Sequence, residues 1–159
     1  MSRVQDEANT AWPPEEEWQM YSKILVGIDG SEASRRALRT AIELAGTHGA
    51  TVHALGVEEH LPHYAATAGE VEEAKEEQDT FFGRVMEDAR RVAQEHGVPL
   101  TTEVRAGNAA QQIVLAASEG SADLIVLGAK GHSVIRDFLL GTTTDRVTHH
   151  APCSVLIVR

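Results

Sequence analysis

Glycine and threonine cluster in one segment of the chain, GAKGHSVIRDFLLGTTT, and both residue types suit anion binding. The residues concerned are Gly128, Gly131, Gly141, Thr142, Thr143 and Thr144. Glycine lets the backbone approach a ligand closely and reach positive φ, so that successive N–H groups can converge on an anion. Gly141 also stands where a helix is predicted to begin, and the N–H groups and dipole of a helix start favour phosphate. The segment therefore predicts a phosphate-binding loop.

Part of this segment has a simpler interpretation. The run from Thr142 to Asp145 has the form of a capping box, in which the Thr142 hydroxyl serves its own helix while the backbone N–H groups stay available to phosphate. Lys130 and Arg136 either neutralise phosphate or lie in solvent, and both interpretations stay open. The glycines, taken singly, are also common turn residues. Neither a P-loop motif nor a GxGxxG motif is present.

A second candidate is the carboxylate of Asp29, which follows an apolar run from Ile24 to Ile28. Ligands of doubly wound sheets bind beyond the carboxyl ends of the strands. Asp29 therefore either contacts a ligand or caps the helix that follows it. His60 and His63 stand on either side of Leu-Pro, but no third metal ligand is evident, so no metal site is predicted.

The elements that must position these residues alternate between strands and helices. Short apolar runs predict strands at 24–28, 123–127 and 154–158, and a further strand is predicted at 51–57. Alternating apolar and polar side chains predict one more strand at 100–105. Helical periodicity fills the intervals, with the last helix over 142–150 and a loop over 58–69. Such alternation indicates a single doubly wound α/β domain, in which helices cover both faces of a parallel sheet.

Composition and charge restrict the class of protein. The 159 residues suffice for one domain. We expect that domain over 23–159, because residues 1–22 show no periodicity and are predicted as a flexible tail. The formal net charge is −10, and acidic residues within 1–22 and 70–79 account for most of it, without the basic stripe of a nucleic-acid-binding protein. With one cysteine, Cys153, and no signal peptide or membrane span, we expect a cytoplasmic protein.

The spacing of the glycines is the most specific feature of the chain. Gly128-Ala-Lys-Gly131, nine further residues and Gly141-Thr142 match G-x2-G-x9-G-[ST], the nucleotide-binding signature of ATP-binding universal stress proteins. The chain resembles that family from about Lys23 to Arg159, including the opening strand that ends in Asp29 and the closing apolar strand. The resemblance implies a five-stranded parallel sheet of order 3-2-1-4-5, which places strands one and four side by side.

The same resemblance implies roles for individual residues. The backbone around Val57 would meet adenine, Asp29 would meet the ribose, and the phosphates would lie on Gly128, Gly131, Gly141, Thr142 and Thr143. Gly27, Leu127, Lys130 and Thr144 adjoin these positions and are included among the expected nucleotide-binding residues. The implied ligand is ATP, alone or with magnesium, and no catalytic residue is assigned.

Two classes of function remain open beside a nucleotide-dependent regulatory protein of the stress response. The crevice could host slow ATP hydrolysis or adenylyl transfer, although no general base or metal-binding carboxylate pair stands near the glycines. A phosphoacceptor domain would need carboxylates clustered at neighbouring strand ends, whereas strand three ends in Arg105-Ala-Gly.

The last strand predicts a homodimer. In the order 3-2-1-4-5, Ser154 to Val158 lies at a sheet edge and carries four consecutive aliphatic residues. Natural edges are usually protected by charge, proline or a bulge. A second copy of the chain would cover this edge, and the resemblance implies the same contact. The alternative is that residues 1–22 fold back over it.

Overall fold

The computed structural model describes residues 20–59, 67–130 and 140–159. Nine elements alternate along them, which confirms the predicted fold class. The elements are β1 (Lys23–Gly27), α1 (Glu32–His48), β2 (Thr51–Glu58), α2 (Ala68–Glu95), β3 (Leu100–Ala106), α3 (Ala109–Glu119), β4 (Leu124–Gly128), α4 (Thr142–His150) and β5 (Ser154–Val158). Residues 1–19, His60, His63, Gly131 and Arg136 lie outside the described residues, so the predictions made for them stay predictions.

The five strands form one parallel sheet of order β3-β2-β1-β4-β5, as predicted. β1 pairs with β2 up to Gly27 opposite Leu55, and with β4 up to Val26 opposite Val126. The chain moves outward in one direction from β1 to β3 and then returns to the other side at β4. This reversal opens a crevice at the carboxyl ends of β1 and β4.

Helices cover both faces of the sheet, and the burial of β1 explains its apolar run. Ile24 and Val26 pack with residues of α1 and α2, whereas Leu25 packs with residues of α3 and α4. Successive side chains of a strand point to opposite faces, so a strand covered on both sides must be apolar at every position. No described helix combines the length and apolar character needed to cross a membrane.

Both ends of the loop predicted over 58–69 belong to regular elements. Glu58 is the last residue of β2, and Gly69 lies inside α2. The helix starts early because Thr67 and Glu70 form a capping box, in which each side chain accepts a hydrogen bond from the other residue's backbone N–H. The Thr67 N–H also holds the pKa of Glu70 below its ordinary value.

Helix α2 is longer than the strands on which it packs. Its 28 residues span about 42 Å, whereas the eight residues of β2 span about 26 Å. The buried residues of α2 begin at Phe82, in its second half. Since α2 follows β2, its first half projects beyond the carboxyl edge of the sheet, beside the crevice.

Two residues just before the predicted domain boundary, Tyr21 and Ser22, contact the folded domain. Tyr21 packs against the core and contacts the ring of His48 edge-on. The Ser22 and Lys23 N–H groups both donate to the carboxylate of Asp123, at 2.7 and 3.1 Å. Asp123 therefore fixes the start of β1 rather than forming the first residue of β4, which begins one residue later than predicted.

Candidate functional site

A cavity of about 740 Å³ lies in the crevice at the carboxyl ends of β1 and β4. Its volume falls in the range of small-molecule sites, roughly 300–1,000 Å³. All ten predicted site residues that the structure describes line it: Gly27, Asp29, Val57, Leu127, Gly128, Lys130, Gly141, Thr142, Thr143 and Thr144. The eleventh, Gly131, lies outside the described residues. The fold thus brings together four separated stretches of the chain around one space.

The turn between β1 and α1 holds the Asp29 carboxylate at the cavity. Asp29 Oδ1 accepts a hydrogen bond from the Ser31 N–H at 2.9 Å. Ser31, and not Asp29, is the N-cap of α1, because its hydroxyl accepts from the Ser34 N–H at 3.1 Å. The alternative that Asp29 caps α1 is therefore wrong.

Gly30 completes this turn and is restricted in two ways. Its φ of +79° lies in the region that side chains disfavour. A Cβ at this position would also stand 2.6 Å from Cζ of Phe81 on α2. The turn that presents Asp29 therefore requires glycine beside it, and it packs directly under α2.

The opposite end of the cavity is formed by the start of α4. Gly141 is the N-cap, and its N–H donates to the Ala129 carbonyl at 2.9 Å. The first intrahelical bond runs from the Asp145 N–H to the Gly141 carbonyl, also 2.9 Å. The N–H groups of the three threonines precede that bond and have no acceptor within the helix. These N–H groups are the donors that a helix start offers to an anion.

Two expectations about this helix start are corrected. Thr142 is the first residue of α4 and not its N-cap, so the predicted capping box with Asp145 does not form. Gly141 has φ −60° and ψ 150°, which any residue can adopt, so positive φ is not the reason for glycine there. The Gly141 N–H already donates to the Ala129 carbonyl. Gly141 therefore positions the start of α4 but offers no donor to a ligand.

Thr144 and Gly128 join α4 to the end of β4. Thr144 is 5% exposed, and its hydroxyl donates to the Gly128 carbonyl at 2.9 Å. The Thr144 hydroxyl is thus used within the protein, and only its backbone N–H is left to face a ligand. Gly128 is crowded, since a Cβ there would lie 2.7–2.8 Å from the backbone and Cβ of Ala33. Gly128 therefore lets α1 approach β4, a packing role that its place in the motif does not reveal.

The backbone of Val57 faces the cavity from the other side. The last ladder bond between β1 and β2 runs from the Ile28 N–H to the Leu55 carbonyl at 2.9 Å. The Glu58 carbonyl accepts from Gly107 beyond β3, so residues of even number in this part of β2 point toward β3. Val57 shares the orientation of Leu55, and its N–H and carbonyl point past the end of β1 into the crevice.

Two helical walls were not predicted as part of the site. Ala74, Gln78 and Phe81 of α2 line one side of the cavity, and Ala109 and Ile113 of α3 line the other. In the sequence, the apolar cavity-lining residues of α2 and α3 belong to the apolar faces of two predicted helices. Periodicity alone assigns such faces to the core. The overhang of α2 beyond the sheet is what turns part of its apolar face into a cavity wall.

Charge is distributed unequally along the cavity. Glu59 and Glu77 line the end near β2 and α2, whereas Lys130 lines the end near β4. The start of α4 adds partial positive charge at the Lys130 end. An elongated ligand with a negative group at one end would therefore be favoured in one orientation. Across 20–59, 67–130 and 140–159, no group of three or more His, Cys, Asp or Glu side chains is placed to hold a metal ion.

Comparison of the sequence with known proteins gives consistent matches. The model of the universal stress protein family matches residues 20–159. A universal stress protein of Methanocaldococcus jannaschii is 34% identical over 141 residues, covering 88% of this chain and 83% of that protein. Universal stress protein YxiE of Bacillus subtilis is 33% identical over 148 residues, covering 88% of this chain and 100% of that protein.

Comparison with solved structures gives the same family. Universal stress protein UspA from Lactobacillus plantarum matches with a TM-score of 0.76 at 30% identity, over 87% of this chain and 98% of that one. A universal stress protein in complex with cAMP matches with a TM-score of 0.67 at 25% identity, over 88% and 98%. A further one, from Archaeoglobus fulgidus in complex with dAMP, shares the fold with a TM-score of 0.59 at 24% identity, over 88% and 99%.

Proposed function

Because this chain belongs to the universal stress protein family, we propose that it binds an adenine nucleotide in the cavity between β1 and β4. The proposed ligand is ATP, alone or with magnesium held mainly through its phosphates. The observation that carries the proposal is the convergence of ten predicted nucleotide-binding residues around one cavity. The complexes of similar family members with cAMP and dAMP support an adenine nucleotide as the ligand class.

The geometry supports one orientation of the nucleotide. The base lies at the β2 end, where the Val57 N–H and carbonyl can pair with the edge of adenine. The ribose lies at the centre, beside the carboxylate of Asp29. The phosphates lie at the α4 end, where the N–H groups of Thr142 and Thr143 and the side chain of Lys130 can receive them. The acidic side chains at the base end disfavour the reverse orientation.

We propose a regulatory role in the stress response rather than catalysis. Nucleotide occupancy would change what the domain 23–159 associates with in the cytoplasm, with residues 1–22 as an accessory tail. Slow ATP hydrolysis or adenylyl transfer would require a general base beside the phosphates. The carboxylates among the described cavity residues are those of Asp29, Glu59 and Glu77, at the centre and the base end. No observation therefore favours the catalytic alternative.

The identity of the nucleotide can be tested directly on the natural ligand. Protein purified rapidly without added nucleotide is denatured, and the released small molecules are identified by chromatography and mass spectrometry. We expect ATP in the released fraction. Release of a nucleotide with a different base would contradict adenine as the ligand.

The edge of β5 carries a second proposal, a homodimer through Ser154–Val158. The Ala129 N–H donates to the Val158 carbonyl, so residues of even number in β5 point toward β4. Ile157 consequently points its N–H and carbonyl away from β4, toward the open edge. Val155, Leu156, Ile157 and Val158 are each only half-buried in the single chain. Antiparallel pairing of two copies across a two-fold axis would satisfy both edges.

This orientation allows a selective test of the dimer. Ile157→Pro removes an outward-facing N–H and is expected to give a folded monomer by light scattering and circular dichroism. Leu156→Pro is the matched control, because it removes an N–H directed at β4 and should destabilise the fold itself. A chain starting at Ser22 should stay dimeric if the second copy, and not the tail, covers the edge. A monomeric full-length protein would refute the proposal.

A further inference from the structure

Helix α2 presents three side chains to the base end of the cavity. Ala74, Gln78 and Phe81 are spaced four and three residues apart, so they form one stripe on the helix surface. All three line the cavity. The stripe lies in the first half of α2, where the helix projects beyond the sheet. Its side chains are therefore not part of the buried core.

Phe81 has the arrangement of an aromatic wall. It is 44% exposed, whereas its neighbour Phe82 is 6% exposed and buried in the core. The two rings meet edge-on, with centroids 5.4 Å apart and an interplanar angle of 81°. Phe82 thus fixes the position of Phe81 against the Gly30 turn, while nearly half of Phe81 remains open to the cavity and solvent.

The side-chain amide of Gln78 is not used for polar contacts within the described part of the chain. The side chain is half-buried at the cavity wall, and it makes no hydrogen bond to any other described residue. A primary amide offers a donor and an acceptor side by side. Adenine presents the complementary pair, the N6 amino donor and the N7 acceptor, whereas guanine presents two acceptors at the same edge.

We propose that this stripe is the nucleobase-recognition wall of the site. Phe81 covers one face of the base, Gln78 pairs with the N6 and N7 edge of adenine, and Ala74 is small enough to leave room for the ring. Val57 would take the opposite edge of adenine, which can use the second hydrogen of the same amino group. The inference rests on the proposed function and adds to it two residues that determine the choice of base.

The test compares wild-type protein with Phe81→Ala, Phe81→Leu and Gln78→Leu for binding of ATP, GTP and inorganic tripolyphosphate. Phe81→Ala should weaken ATP about tenfold or more, because loss of base stacking typically costs that much. Phe81→Leu keeps an apolar contact and should fall between Phe81→Ala and wild type. Gln78→Leu keeps the volume but should reduce the preference for ATP over GTP about tenfold. Tripolyphosphate, which has no base, should bind all variants equally.

Leu115→Ala is the matched control for Phe81→Ala. Leu115 is also 44% exposed, but it is not among the residues that line the cavity. ATP affinities of Phe81→Ala and Gln78→Leu that equal that of Leu115→Ala would overturn the inference and leave the proposed function standing. An equal loss of affinity for ATP and for tripolyphosphate would also overturn the inference, since the substitutions would then disturb the whole site rather than the contact with the base. Failure of wild-type protein to bind ATP would remove the proposed function and the inference together.

Discussion

Replacing Thr142 by aspartate is expected to weaken ATP binding by about 100-fold while leaving the fold intact. The carboxylate would stand at the start of α4, beside the proposed phosphate position. Two like charges about 4 Å apart repel by about 4 kcal/mol at an effective dielectric constant near 20. Thr142 is exposed, so screening by solvent lowers the repulsion below this figure. The expected loss of about 100-fold corresponds to about 2.7 kcal/mol.

The stability of the same variant separates this effect from unfolding. Negative charge in the first turn of a helix is favourable, by about 0.3–1 kcal/mol. Thr142→Asp should therefore unfold at the same or a slightly higher temperature in the absence of nucleotide. Thr142→Asn has the same shape without the charge and should bind ATP with nearly wild-type affinity. Full ATP affinity in Thr142→Asp would place the phosphates elsewhere.

Gly128→Ala is expected to lower the free energy of unfolding by about 2 kcal/mol, the middle of the range for overpacking a core. The new methyl group would lie 2.7–2.8 Å from three atoms of Ala33, two of them in the backbone. A backbone neighbour cannot rotate away, so α1 must shift from β4. Because both elements line the cavity, ATP affinity should fall as well.

Gly83→Ala is the matched control and should have the opposite sign. Gly83 lies inside α2, and a Cβ at that position meets no atom within 4 Å. Alanine in an exposed helix interior is more stable than glycine by about 0.5–1 kcal/mol. Chemical denaturation of both variants measures the two values. Equal effects of the two substitutions would show that β4 and α1 do not approach as described.

The sequence predicts the sheet more completely than the helices. The β4 and β5 runs are apolar over nearly their whole length, and the confirmed order β3-β2-β1-β4-β5 came with the family resemblance. The start of α2 was predicted two residues too late, although the Thr67 and Glu70 spacing is a capping signal. The predicted loop extended to Gly69, whereas the capping box of Thr67 and Glu70 begins the helix before that residue.

Only some residues of the candidate site could be predicted from the sequence. Residues at strand ends, such as Asp29 and Gly128, could be placed in the crevice because topology brings strand ends together. Gln78 and Phe81 could not, because periodicity describes a face of α2 without saying where the sheet beneath it ends. The packing role of Gly128 was equally hidden, since it depends on the distance between two elements. Contacts between elements therefore require the structure.

The central claim is that the cavity between β1 and β4 binds ATP, and equilibrium dialysis of the full-length protein with labelled ATP tests it most directly. We expect saturable binding of one ATP per chain. The same binding should survive Thr142→Asn and be weakened about 100-fold in Thr142→Asp. An absence of saturable ATP binding to the wild-type protein at millimolar nucleotide would contradict the account.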